Sequence, residues 1–235
     1  MGATAQTETL TRLGGMDRFN RWMFETLSPG LGDRVLEAGC GTGNLTLPLA
    51  ASGRSRIAAC DVSAEYVKQA KGRLAGHDGM TAHVWDLNGP APKELARERF
   101  DSVLTVNVLE HVRDDVGAFA RLRAQVRPGG TLVALVPAGE WLYAPLDRAI
   151  GHFRRYTRAT LSGALASAGW KVTDIRPFNL AGIAGWFLSG KILRRQLLPE
   201  GGLAWYERMV PLFRAVEKMT GPPTGLSLIA RATAP

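Results

Sequence analysis

Glycines recur at alternate positions, Gly39, Gly41 and Gly43, directly after the apolar run and acid Val35-Leu36-Glu37. Residues 44–51 that follow have helical character. A strand, a tight turn and a helix start in that order can grip a nucleotide-like ligand through backbone N–H groups. Glycine takes φ > 0 there and lets the ligand come close. Cys40 lies inside the turn. A second apolar run ends at Asp61, with Val62 next. An acid about 20 residues beyond such a turn is placed to accept hydrogen bonds from both hydroxyls of a ribose. A third run ends at Asp86-Leu87 and a fourth at Asn107-Val108-Leu109-Glu110-His111. His111 and His152 are the candidates for proton transfer, because imidazole titrates near neutrality. Tyr156 lies four residues after His152. The dinucleotide fingerprint G-x-G-x-x-G sets its last glycine one residue later than this turn does, which disfavours a nicotinamide oxidoreductase.

Strands and helices must alternate to hold these residues at strand ends. Strands are expected over 34–38, 56–60, 81–85, 102–106 and 131–136. Helices are expected over 45–51, 64–75, 92–98 and 116–126, with Ser63 as an N-cap. Such alternation implies a parallel sheet covered on both faces. Residues 1–15 read as loose. Residues 16–27 carry Phe19, Trp22, Met23 and Leu27 at helical spacing and are expected to cover the cofactor. After residue 137 the rhythm changes. Residues 138–157 are aromatic, basic and irregular, 158–168 read as helix, 170–177 and 226–231 as strands, and 179–220 as mostly helical and apolar. The segments 138–157 and 179–220 are expected to form a cap over an acceptor, on a single domain spanning 1–235. Open α/β sheets bind ligands beyond the carboxyl ends of their strands.

The turn Glu37-x-Gly39-x-Gly41-x-Gly43 resembles motif I of the class I S-adenosylmethionine-dependent methyltransferases. Phe100-Asp101-Ser102-Val103, Asn107-Val108-Leu109-Glu110-His111 and Arg127-Pro128-Gly129-Gly130-Thr131-Leu132 resemble later segments of that family, in order and at helix-sized intervals. The resemblance covers residues 30–137. It implies a Rossmann-like sheet of seven mostly parallel strands with strand seven antiparallel. It also implies S-adenosylmethionine as cofactor, held by Glu37, Gly39, Cys40, Gly41, Gly43, Asp61, Val62, Asp86, Leu87, Asn107, Val108 and His111. In the family, the acid at Asp86 receives the adenine amino group and its neighbour packs on the ring. Residues 147–157, Asp-Arg-Ala-Ile-Gly-His-Phe-Arg-Arg-Tyr-Thr, resemble the D-x-x-x-G-H-x-R-R-Y motif of a bacterial small-molecule subgroup. His152, Tyr156 and His111 are the expected catalytic residues. Trp22, Trp141, Tyr143, His152, Tyr156 and Trp186 are the expected acceptor contacts. A sulfonium methyl is already activated, so no metal is expected.

The expected acceptor is a small molecule, aromatic or indole-like, of secondary metabolism. The net charge is +8, but its arginines are scattered and form no block, and the place of a D/N-P-P-Y/F motif is taken by Asn107-Val108-Leu109-Glu110, which disfavours nucleic acid. The apolar stretch 178–195 ends in Arg194-Arg195 and leaves a membrane-surface role open. Cys40 and Cys60 are too few for a disulfide framework. With no signal segment, the expected location is the cytoplasm. The oligomeric state is open between monomer and homodimer.

Overall fold

The structure, a computed structural model, describes residues 2–235, with side chains from residue 5 onward. Helices α1 (Gly2–Gly14) and α2 (Asp17–Leu27) precede the first strand. Then come β1 (Arg34–Ala38), α3 (Thr46–Ala50), β2 (Arg56–Asp61), α4 (Ala64–Leu74), β3 (Met80–Val84), α5 (Lys93–Ala96), β4 (Phe100–Val106), α6 (Asp115–Arg123) and β5 (Val126–Pro137). The chain continues through α7 (Pro145–Ala149), α8 (Arg158–Ser167), β6 (Lys171–Phe178), α9 (Gly182–Trp186), α10 (Glu200–Thr220) and β7 (Ser227–Thr233). A π-helical stretch, Phe187–Ile192, follows α9.

The sheet has seven strands in the order β3-β2-β1-β4-β5-β7-β6. Pairs from β3 to β5 are parallel, while β7 runs antiparallel to both β5 and β6. The order reverses between β1 and β4, so their carboxyl ends flank a crevice suited to a ligand. Alternation within β1 sends Leu36 into a core with Phe119, Leu122, Leu161 and Leu165 of α6 and α8. Val35 points the other way, into a core with α2, α3, α4 and Val210 of α10. Helices thus cover both faces, as the alternation predicts.

Residues 2–14 form a helix rather than the loose segment expected. Its sequence is rich in threonine and offers Leu10 and Leu13 as its only large apolar side chains. Docking, not local propensity, holds it. Tyr66 of α4 donates to Thr7 at 3.2 Å, Leu10 lies over Gly41, and Arg12 pairs with Glu8 and Glu200. The turn expected at 127–130 lies inside the bounds of β5, with Gly129 at φ +75° and a register shift against β4.

Candidate active site

At the carboxyl end of β1 the backbone turns through Gly39 (φ +81°), Gly41 (φ +49°) and Gly43 (φ +84°). A Cβ on Gly39 would lie 2.1 Å from Cγ2 of Val108, so glycine lets the turn pack on the chain leaving β4. Gly39 and Cys40 both donate to the carbonyl of Cys60 at the end of β2, at 2.8 and 2.9 Å. The turn is therefore pinned between the first two strands. Cys40 and Cys60 are free and buried, and burial pushes both thiols well above their ordinary range.

Asp61 divides its carboxylate between two backbone donors. Oδ2 accepts from Gly41 N at 2.9 Å and Oδ1 from Ser63 N at 2.9 Å. Ser63 caps α4 by accepting from Tyr66 N, as its position predicts. Val62 beside it is exposed. Glu37 is buried, with Thr46 of α3 donating to its Oε2 at 2.6 Å. Burial, opposed by the Thr46 hydrogen bond and aided by the charge of Asp61, raises its pKa to about 7. Asp86 is exposed and accepts from the backbone and side chain of Asn88, whereas Leu87 is buried in the core. Asn107 takes φ +53° where β4 ends. Its strain, at a non-glycine residue facing the crevice end of the sheet, fits the habit of such conformations to occur at functional sites.

The chain beyond Asn107 and the loop after β5 meet. Phe153 N donates to the carbonyl of Glu110 at 2.8 Å, and Nδ1 of His111 lies 3.3 Å from the carbonyl of Gly151. The rings of His111 and His152 stand edge to face, 4.7 Å apart. Asp147 of α7 organises the loop. Its Oδ2 accepts from Ala144 N, and its Oδ1 from His152 Nδ1 at 2.9 Å and Arg155 Nε at 2.8 Å. Burial alone would raise the Asp147 pKa, but the His152 hydrogen bond and the Arg155 charge outweigh it and hold the group below its usual value. Carbonyl and carboxylate oxygens only accept, so both imidazoles carry a proton on Nδ1. Burial and the neighbouring His152 push His111 down to about 4. Glu110 is fully buried, and burial raises it to about 7. Neither of its carboxylate oxygens has a hydrogen-bond partner. Its Oε1 lies 3.7 Å from Nε2 of His152.

The expected acceptor residues divide. Tyr143 donates to the carbonyl of His152 at 2.7 Å, Trp186 stacks under Arg155 at 4.5 Å, and exposed Trp141 meets Phe187 at 6.1 Å. Tyr143 and Trp186 thus touch the loop that carries His152. Tyr156 is buried and gives its hydroxyl to Asp115 at 2.7 Å, which with burial pushes its pKa far up. That hydrogen bond fastens the loop to the start of α6. Trp22 packs in the core against Phe178 at 4.6 Å, away from the loop. An open cavity of about 390 Å³ between the loop and α8 is lined by Asp115, Glu140, Arg154 and Tyr156, and by no residue of the glycine turn. Sequence reasoning passed over Glu110, Asp147, Asp115 and Thr46. Asp147 was readable, because it opens the motif that contains His152 and Arg155.

Residues 36–132 match the family described as "Methyltransferase domain". The chain is 31% identical over 179 residues to a ubiquinone biosynthesis O-methyltransferase of Methylocella silvestris, covering 67% of this chain and 66% of that one. It is 31% identical over 135 residues to a tRNA U34 carboxymethyltransferase of Pseudoalteromonas translucida, covering 54% and 41%. The chain thus spans less than two thirds of the length of these relatives. A methyltransferase structure from Mesorhizobium loti superposes with TM-score 0.62 at 16% identity, over 89% of this chain and 96% of that one. Sheet order, glycine turn and domain match agree: residues 36–132 form a methyltransferase domain, and the sheet has the Rossmann-like fold of the S-adenosylmethionine-dependent methyltransferases.

Proposed function

We propose that this protein transfers a methyl group from S-adenosylmethionine to a small-molecule acceptor with an aromatic or otherwise apolar body. One observation carries the reading. The glycine turn joined to Asp61 packs through Gly39 on Val108, three residues before His111, whose ring is paired with that of His152. The turn fits the cofactor. Beyond the buried hydrogen bond from Thr46, Glu37 keeps acceptor capacity for an ammonium, and Asp61 keeps lone pairs for ribose hydroxyls beside its two backbone bonds. Nothing lies nearer than 3.8 Å to a Cβ built on Gly41.

When bound, S-adenosylmethionine supplies a methyl carbon activated by a sulfonium. The protein's part is to hold an acceptor atom about 3–3.5 Å from that carbon, in line with the leaving sulfur. Glu37 would hold the amino-acid end of the donor and Asp61 its ribose. His111, half-buried and neutral, accepts hydrogen at Nε2 from an acceptor O–H or N–H and so orients its lone pair, with the buried ring of His152 beside it. Trp141, Tyr143 and Trp186 supply apolar faces for the acceptor body. Helix α1, lying over Gly41 and tied to Glu200, shields the donor from water.

A second reading has its own observation. Leu188, Ile192 and Leu193 are exposed beside Lys191, Arg194 and Arg195, a pattern suited to an anionic membrane surface carrying a lipid-like acceptor. Among the described residues no helix is long and apolar enough to cross a membrane. Transfer of labelled methyl into fractionated cell extract tests both. Label in the water-soluble small molecules supports the first reading, label in the lipid fraction the second, and label in nucleic acid overturns both.

A further inference from the structure

Glu110, His111 and His152 each offer one ligand atom, and the three atoms lie within 4.8 Å of one another. Metal ligands at about 2.0–2.2 Å from an ion lie about 3–3.5 Å apart, so side-chain shifts of about an ångström would close this set. Three observations prepare the site. Glu110 is fully buried and neither carboxylate oxygen has a hydrogen-bond partner. His152 gives its Nδ1–H to Asp147, and His111 its Nδ1–H to the Gly151 carbonyl, which is the outer hydrogen bonding that orients ligating imidazoles. In each ring Nε2 is the remaining nitrogen, able to ligate a metal when unprotonated.

We propose that Glu110, His111 and His152 hold one divalent transition-metal ion, with zinc-type nitrogen and oxygen ligation. Two imidazoles and one carboxylate suit zinc or ferrous iron and leave coordination positions open. This departs from the sequence-based expectation that no metal is involved. The role of the ion rests on the proposed methyl transfer, whereas its binding does not. An acceptor hydroxyl oxygen would occupy an open position. A metal–oxygen bond forms, the O–H bond breaks and the proton leaves to solvent, so the oxygen meets the methyl carbon as an anion. The acceptor class is then a phenol or catechol-like hydroxyl compound.

The test is direct titration of untagged, chelator-stripped full-length protein with Zn²⁺ by calorimetry, and with Co²⁺ by visible absorption. One equivalent is expected, with Co²⁺ bands of a site containing nitrogen ligands. His111→Ala and Glu110→Gln should each weaken Zn²⁺ binding at least a hundredfold, and Asp147→Asn about tenfold. His83→Ala, on β3 and outside the cluster, should leave it unchanged. Circular dichroism identifies any variant that fails to fold, and Glu110→Gln keeps the shape of the side chain as the second arm. No Zn²⁺ binding by folded wild type, or binding that neither Glu110→Gln nor His111→Ala weakens, overturns the site. Binding as expected, with no label in any small molecule, would leave the site standing and overturn the methyl-transfer reading. Full transfer by stripped protein in chelator would overturn the role assigned to the ion.

Discussion

The carboxylate of Asp61 accepts a hydrogen bond from the backbone N–H of Gly41 at 2.9 Å. The acid that ends β2 and the glycine turn that ends β1 are therefore one unit, and the residue read as a ribose ligand also sets the shape of the turn beside it. Asp61→Ala removes both functions. A hydrogen bond to a charged group contributes about 1.5–3 kcal/mol, so affinity for S-adenosylhomocysteine should fall by at least ten- to hundredfold. Calorimetry on the folded variant checks this, and unchanged affinity would remove Asp61 from the cofactor site. Gly41→Val, with φ at +49°, should lose binding likewise.

Gly39→Ala should be destabilising, because the new methyl would lie 2.1 Å from Cγ2 of Val108 at a backbone φ of +81°. A cost of about 1–3 kcal/mol is expected from the strained backbone and the overlap together. Adding Val108→Ala should recover the overlap part but not the backbone part. Chemical denaturation of the two single variants and the double variant separates them, and strict additivity would show that the two residues do not touch.

Burial holds Glu37 at about 7, above its ordinary 4.5. Protonated in the fold, it favours folding fully below pH 4.5, and that contribution is lost as pH rises through 7. Cofactor binding runs the other way, since an ammonium needs the carboxylate. Affinity for S-adenosylhomocysteine should rise between pH 6 and 8 while the stability of the free protein falls. Glu37→Gln should flatten both trends. A variant that keeps the wild-type pH dependence would place the titrating group elsewhere.

Asp147 and Arg155 are both buried and joined at 2.8 Å. Truncating either removes the ion-pair partner of a buried charge, and breaking such a pair costs about 3–5 kcal/mol. Asp147→Ala and Arg155→Ala should each lower thermal stability strongly, and the double variant should be less unstable than the sum. Small losses in both would mean that the loop carrying His152 is held by something else.

Much of this was legible. The parallel strands show as short apolar runs ending in Glu37-Ala38, Asp61, Asp86 and Asn107, and the glycine spacing marks the crevice because left-handed backbone and close packing on Val108 leave few other residues possible. Ser63 was readable as a cap from its position before α4. Glu110 was not, since an acid between Leu109 and His111 looks like a turn residue until the loop after β5 folds over it. Trp22 looked like a ligand-facing ring, but its partner is Phe178, over 150 residues away, and only the sheet brings the two together. Helix α1 escaped notice for the same reason, as its partners lie on α4, on the glycine turn and at Glu200.

That helix has a kinetic consequence. A 13-residue segment is marginal as a helix once undocked. Releasing α1 from Gly41 and Glu200 therefore amounts to melting it. Each exchange of spent for fresh cofactor would carry the signature of a small folding reaction: a steep temperature dependence, sensitivity to mild urea, and a first turnover faster than those that follow.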